Sequence, residues 1–316
     1  MAAPGASRSS TGVEGEPVPM PVENMTSRAL QYLTETQSDA GTWPDARYGE
    51  KPGVIALAVL AFLSRGENPQ TGQYADPIQR GLDYILKSQN KKNGYIGPQM
   101  YDHAFATLTL AEAYGRVGDK RLGSALVDAV ELILSAQKRN PHNAWRYNPD
   151  STDADTTVSG ACLMALFAAR NAGLPVPQKT IDKGLAFYKT CQTSEGGFGY
   201  TAARDPNPAR AAVGTLMFLL AEKRDSPVFK KAYRYLKDRG YGGDSYPYYY
   251  RYYAAQAYFH ADPEAWEEWN KTNISRLQQL QDTEGSWTGR HGKVFCTAAA
   301  VLSLAVNYRF LPIYER

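Results

Sequence analysis

Two carboxylates stand one residue apart in Asp153-Ala-Asp155-Thr156-Thr157, the sharpest local signal in this 316-residue chain. A carboxyl group kept protonated in an apolar pocket can act as a general acid, with nearby donors stabilising the anion it leaves behind. Asp and Thr at a helix start serve equally well as caps, and one cap plus one acid favoured by the helix dipole would account for the whole motif. His103 is a candidate donor to such an acid. A second concentration is aromatic: Tyr241, Tyr246, Tyr248, Tyr249, Tyr250, Tyr252, Tyr253 and Tyr258 fall within 18 residues. Tyrosine combines a π face that attracts cations with a hydroxyl, which suits a carbocation or an amphipathic ligand; the same side chains could also fill a barrel rim with their hydroxyls in water. Cys296 has no second ligand beside it, so it reads as a small buried apolar residue and not as part of a zinc site.

These groups must be positioned by a repeated pair of helices. A Gln followed six to eight residues later by an aromatic recurs in Gln37-Ser-Asp-Ala-Gly41-Thr-Trp43, Gln89 to Tyr95, Gln137 to Trp145, Gln192 to Phe198 and Gln281 to Trp287, with Gly inside every one of these turns except Gln137 to Trp145. The Gln residues stand 52, 48, 55 and 89 residues apart, and Ala232-Tyr-Arg-Tyr-Leu-Lys237 with Gly240 fills the double gap as a degenerate copy. A period of this size marks a repeat architecture. The stretch before each Gln is amphipathic: in residues 77–88, Ile78, Leu82, Ile85 and Leu86 recur at steps of 3 to 4, with Arg80, Asp83 and Lys87 between them. The stretches after each aromatic, such as 54–63, 104–113 and 158–169, are nearly apolar throughout and rich in Ala, as expected of helices buried on every side. The pattern predicts six outer and six inner helices in alternation, forming an open superhelix or a closed ring. In each turn the Gln amide is expected to bond helix-terminal groups while Gly supplies the tight geometry.

Bulk composition narrows the partners. A net charge of +3 announces no nucleic-acid surface, and 43% hydrophobic residues can fill a sizeable core. No run of 18 apolar residues is available to span a membrane. Residues 1–23 carry Pro4, Pro17, Pro19 and Pro21 without a signal-peptide core, so they read as a disordered lead-in to one domain over 24–316, with a cytoplasmic location favoured. Cys162, Cys191 and Cys296 are too scattered for a disulfide framework.

The repeated Gln, Gly and aromatic pattern resembles the QW repeats of the squalene cyclase and protein prenyltransferase superfamily over residues 25–314. The resemblance implies an all-α (α/α)6 toroid, a closed barrel of six inner and six outer helices, with the inner N-terminal ends around a central cavity. Asp153-Ala-Asp155-Thr156-Thr157 is similar to the Asp-x-Asp-Asp-Thr motif of class II terpene cyclases, with Thr156 in place of the third Asp. That similarity implies Asp155 as general acid toward an alkene or epoxide, supported by Asp153 and His103. Tyr101, Asp102, Thr156, Tyr248, Tyr250, Arg251, Tyr252 and Cys296 are the expected substrate-binding residues, and the partner is an apolar isoprenoid ligand without metal or cofactor. Class II cyclases of this superfamily enclose their cavity between two helical domains, so a second copy or partner subunit would be needed, and peripheral membrane contact is compatible. The prenyltransferase zinc ligands would fall near Tyr250, Tyr252 and Cys296, which fail that pattern. A non-catalytic binding or assembly module is the alternative, and a carbohydrate-active toroid with paired carboxylates a third possibility.

Overall fold

Six apolar stretches too hydrophobic to face water form a ring of parallel inner helices in the computed structural model, which describes residues 17–44, 46–116, 119–240 and 246–314. Residues 1–16 of the expected lead-in, and Tyr241, lie outside the described residues. The inner helices are α2 (Pro52–Ser64), α4 (Met100–Tyr114), α6 (Thr156–Asn171), α8 (Pro208–Leu220), α10 (Pro247–Ala261) and α12 (Lys293–Leu304). The outer ones are α1 (Met20–Thr36), α3 (Ala75–Lys87), α5 (Lys120–Arg139), α7 (Gln178–Thr190), α9 (Pro227–Arg239) and α11 (Pro263–Leu280). Each inner helix packs on the next, and α12 packs on α2, so the ring closes into an (α/α)6 toroid. Every residue of α2 is buried, while α3 buries one apolar stripe, as their sequences dictate. Among the described residues no helix is long and apolar enough to cross a membrane.

α1 begins at Met20, inside the stretch read from its prolines as a lead-in. The first turn of a helix has no internal use for its N–H groups, so Pro21 is accommodated there, and Val22 is completely buried.

The Gln of the repeated turn fastens the neighbouring outer helix, while its Trp ties back to the helix before it. The side-chain amide of Gln37 donates to Pro77 O on α3 (3.1 Å), that of Gln89 to Ala125 O on α5 (2.8 Å), and that of Gln137 to Thr180 O on α7 (2.9 Å). Gln192 reaches Val228 O on α9 (2.8 Å), and Gln281 returns to Met25 O on α1 (2.9 Å), sewing the outer ring shut. The indoles of Trp43, Trp145 and Trp287 donate to Leu33 O, Ile133 O and Leu277 O of the outer helix that precedes each turn. In the degenerate copy Lys237 lies within α9 over the Tyr233 ring, and buried polar links join the helices that follow. There Arg251 donates to Asn273 Oδ1 of α11 (2.6 Å), and Asn273 donates to Ser303 Oγ of α12 (3.2 Å).

Candidate functional site

All six inner helices begin at the same end of the toroid, and their first turns and the loops leading into them enclose a cavity of about 470 Å³. That is within the range of small-molecule sites, about 300–1,000 Å³. Tyr48, Tyr101, Phe105, Tyr147, Tyr246, Tyr249 and Phe295 supply aromatic lining. Arg47, Lys51, Arg210 and Arg290 bring positive charge, and Asp102 is the single carboxylate lining it among the described residues. Arg47 donates to Arg290 O (3.0 Å) and lies over Tyr48, while Arg290 lies over Tyr246, so these cations are held against rings at the rim. His291 sits between Tyr246 and Phe295; burial, then Arg290 and Arg47, push its pKa down, which favours the neutral ring.

Asp102 occupies the first turn of α4 and is 7% exposed. Its Oδ1 accepts the Gly53 N–H of α2 at 3.1 Å, linking two inner helices. Burial raises its pKa above the ordinary carboxylate value, offset in part by the Gly53 bond, the charge of Lys51 and the Gln99 backbone N–H.

The Asp-x-Asp-Thr-Thr motif lies elsewhere. Asp155 is fully buried as the N-cap of α6 and does not line the cavity. Its Oδ1 accepts the Thr157 and Val158 N–H groups (both 2.8 Å) and the Thr157 hydroxyl (2.6 Å), and its Oδ2 accepts Arg146 Nη1 at 3.1 Å. Asp153 is 62% exposed and pairs with the same guanidinium at 3.0 Å. Both oxygens of Asp155 are therefore engaged as acceptors, the outcome expected of a cap and not of an acid aimed at a ligand. Thr156 donates to Gly199 O (2.8 Å) and is buried; of this motif only Thr157 reaches the cavity.

His103 is also withdrawn from the proposed acid. It is completely buried, its Nδ1 accepting the Ile96 N–H at 3.1 Å and its Nε2 donating to Ala129 O at 3.0 Å, so it is a neutral core residue joining α4 to α5. Burial lowers its pKa to about 4, the Ala129 bond opposing. A proton is then bound more readily by the unfolded chain, near pH 6.5, than by the folded one. The stability in question is complete above pH 6.5 and is lost as pH falls toward 4, at about 1.4 kcal/mol per unit. Between pH 7 and 4.5 the wild-type chain should lose about 3 kcal/mol more than His103→Gln in chemical denaturation. Parallel pH profiles for the two would contradict this.

Of the expected binding residues, Tyr101 and Asp102 line the cavity. Tyr248, Tyr250, Arg251, Tyr252 and Cys296 are buried away from it: Tyr250 donates to Gly240 O (2.7 Å), Tyr252 packs on Tyr253, Arg251 reaches Asn273, and Tyr248 and Cys296 close around Gly289. Tyrosines 248, 250 and 252 follow a period of two, which on a helix scatters side chains round the axis; Tyr246 and Tyr249, three apart, share the cavity face. Phe105 could have been found the same way, one turn beyond Tyr101 and stacked on it. Tyr147 follows Trp145 in a loop and carries no comparable sequence signal.

No family model and no curated protein matches the chain. Solved structures share the fold. The type II terpene cyclase MstE from Scytonema, without ligand, is 16% identical, with a TM-score of 0.63 over 92% of this chain and 99% of that one. A variant of the same cyclase, solved with the substrate geranylgeranyl dihydroxybenzoate, aligns at the same TM-score with 98% of its chain covered. An inactive variant of an α-1,6-mannanase from Salegentibacter, in complex with α-1,6-mannotriose, is 7% identical with a TM-score of 0.69, covering 92% and 99%. At these identities the likeness establishes the toroid.

Proposed function

We propose that the cavity receives an isoprenoid amphiphile and that the protein is a terpene cyclase-like enzyme, the hydrocarbon chain lying among the aromatic rings and its polar end near the cationic rim. The supporting observation is the lining itself: Tyr101, Phe105, Tyr147, Tyr246, Tyr249 and Phe295 around one buried carboxylate, Asp102. Aromatic faces exclude water and attract cationic centres, which is what a carbocation cascade requires. Glycoside hydrolysis needs two carboxyl groups, about 5–5.5 Å apart for retention or 6.5–9.5 Å for inversion. Among the described residues this cavity presents one, which favours the isoprenoid reading over that of the mannanase fold relative.

The protein should convert at least one of squalene, farnesyl diphosphate, geranylgeranyl diphosphate and geranylgeranyl dihydroxybenzoate to a cyclic isomer detectable by mass spectrometry. Tyr249→Ala should cut that turnover at least tenfold, since it removes a cavity-facing ring, whereas Tyr250→Phe, on the outer face of α10, should leave it within about twofold. Saturable binding of these chains without cyclic products would move the assignment to a binding module. Turnover of α-1,6-linked mannosides in place of isoprenoids would overturn it.

A further inference from the structure

An isoprenoid cyclisation begun by proton transfer needs an acid inside the cavity, and Asp155 is turned away from it with both oxygens engaged. We propose, building on the cyclase-like reading, that Asp102 is the catalytic proton donor. Its side chain lies in a slot between two glycines. A Cβ on Gly53 would stand 2.9 Å from Asp102 Cα and 3.1 Å from its Oδ1. One on Gly97, whose φ is +78°, would stand 2.7 Å from Asp102 Cβ. Any larger residue at either position would displace the acid, so the slot holds the carboxyl in one orientation. Oδ1 accepts the Gly53 N–H. Burial favours the acid, while that bond and the Gln99 backbone N–H favour the carboxylate. In the proposed donor Oδ2 carries the proton. Tyr101 and Phe105 on the same helix, and Tyr249 and Phe295 from across the ring, turn aromatic surface to the space in front of it. Burial favours the neutral carboxyl in this position, which is the form a general acid must hold before it reacts.

In the step itself the Oδ2–H bond breaks, its electron pair staying on the carboxylate. The π pair of the terminal alkene forms a new C–H bond to that proton and leaves a tertiary cation at the neighbouring carbon. Successive alkenes attack the cation to close rings, and loss of a proton from the last cation to water restores an alkene. A proton from water then reloads Asp102, so the product is an isomer of the substrate.

Asp102→Asn preserves the shape and the acceptor for Gly53 while removing the transferable proton. Against the four chains named above, this variant should lose turnover by about 10²–10⁴-fold. Chain binding, followed by intrinsic fluorescence, should stay within about threefold of wild type. Wild-type product formed in D2O should carry one deuterium on the former =CH– carbon of the terminal isoprene unit, the carbon that was protonated. Asp155→Asn, in protein that remains folded, should keep most of its turnover. The acid is misassigned if Asp102→Asn turns over within tenfold of wild type, if the D2O product lacks that deuterium, or if Asp155→Asn is the inactive variant. Those results leave the cyclase-like reading standing. Absence of cyclic product from the unaltered protein with every chain overturns both.

Discussion

Gly196→Ala is expected to destabilise the protein by about 3–5 kcal/mol. Gly196 has φ +104°, a conformation that costs an L residue energy by itself. A Cβ there would also stand 2.3 Å from Lys231 O, a backbone atom of α9 that is held by its helix. The turn could relieve this contact only by moving away from α9, and that would break the Gln192 bond to Val228 O (2.8 Å). Gly173→Ala separates strain from clash: its φ is +90°, but nothing lies within 4 Å of the added carbon. That control should cost only about 1–2 kcal/mol. Urea denaturation of both variants checks the difference, and equal losses would mean that the approach of turn to helix contributes nothing.

Asp155→Ala is expected to cost about 3 kcal/mol, whereas Asp155→Asn should cost about 1 kcal/mol. Alanine would leave the buried Thr157 and Val158 N–H groups and the Thr157 hydroxyl without their shared acceptor. Arg146, half-buried over the Tyr147 and Tyr200 rings, would retain only the exposed Asp153 as ion-pair partner. Asparagine keeps Oδ1 and therefore the cap. In thermal unfolding the alanine variant should fall on the order of 10 °C below wild type. Equal midpoints for the two variants would show that capping is not what Asp155 contributes.

The repeat could be read from sequence because it depends on local chemistry: amphipathic against nearly apolar helices, and a glycine, or Asn143 in one copy, where the turn needs positive φ. Even the degenerate copy at Lys237 and Gly240 was legible by spacing, as Gly240 indeed ends α9 with φ +50°. The site was legible only in outline. Tyr101 and Asp102 were named and do line the cavity, but Thr156, Tyr248, Tyr250, Arg251, Tyr252 and Cys296 face into helix packing. Inner helices are apolar on all sides, so their periodicity does not reveal which side meets the cavity and which meets the outer layer.

The chain by itself determined the twelve helices, their alternation and the turns that end them, because propensity, capping and hydrophobic period act within a few residues. Tertiary structure decided what the same residues do. Gln281 proved to be a stitch to Met25, 256 positions away, because closing the ring brings α1 beside that turn. Asp155, which matches a catalytic motif, became a cap because Arg146 and the start of α6 surround it. Asp102, which matches none, lines the cavity because α2 and α4 place it between Gly53 and Gly97, with aromatic side chains in the same lining.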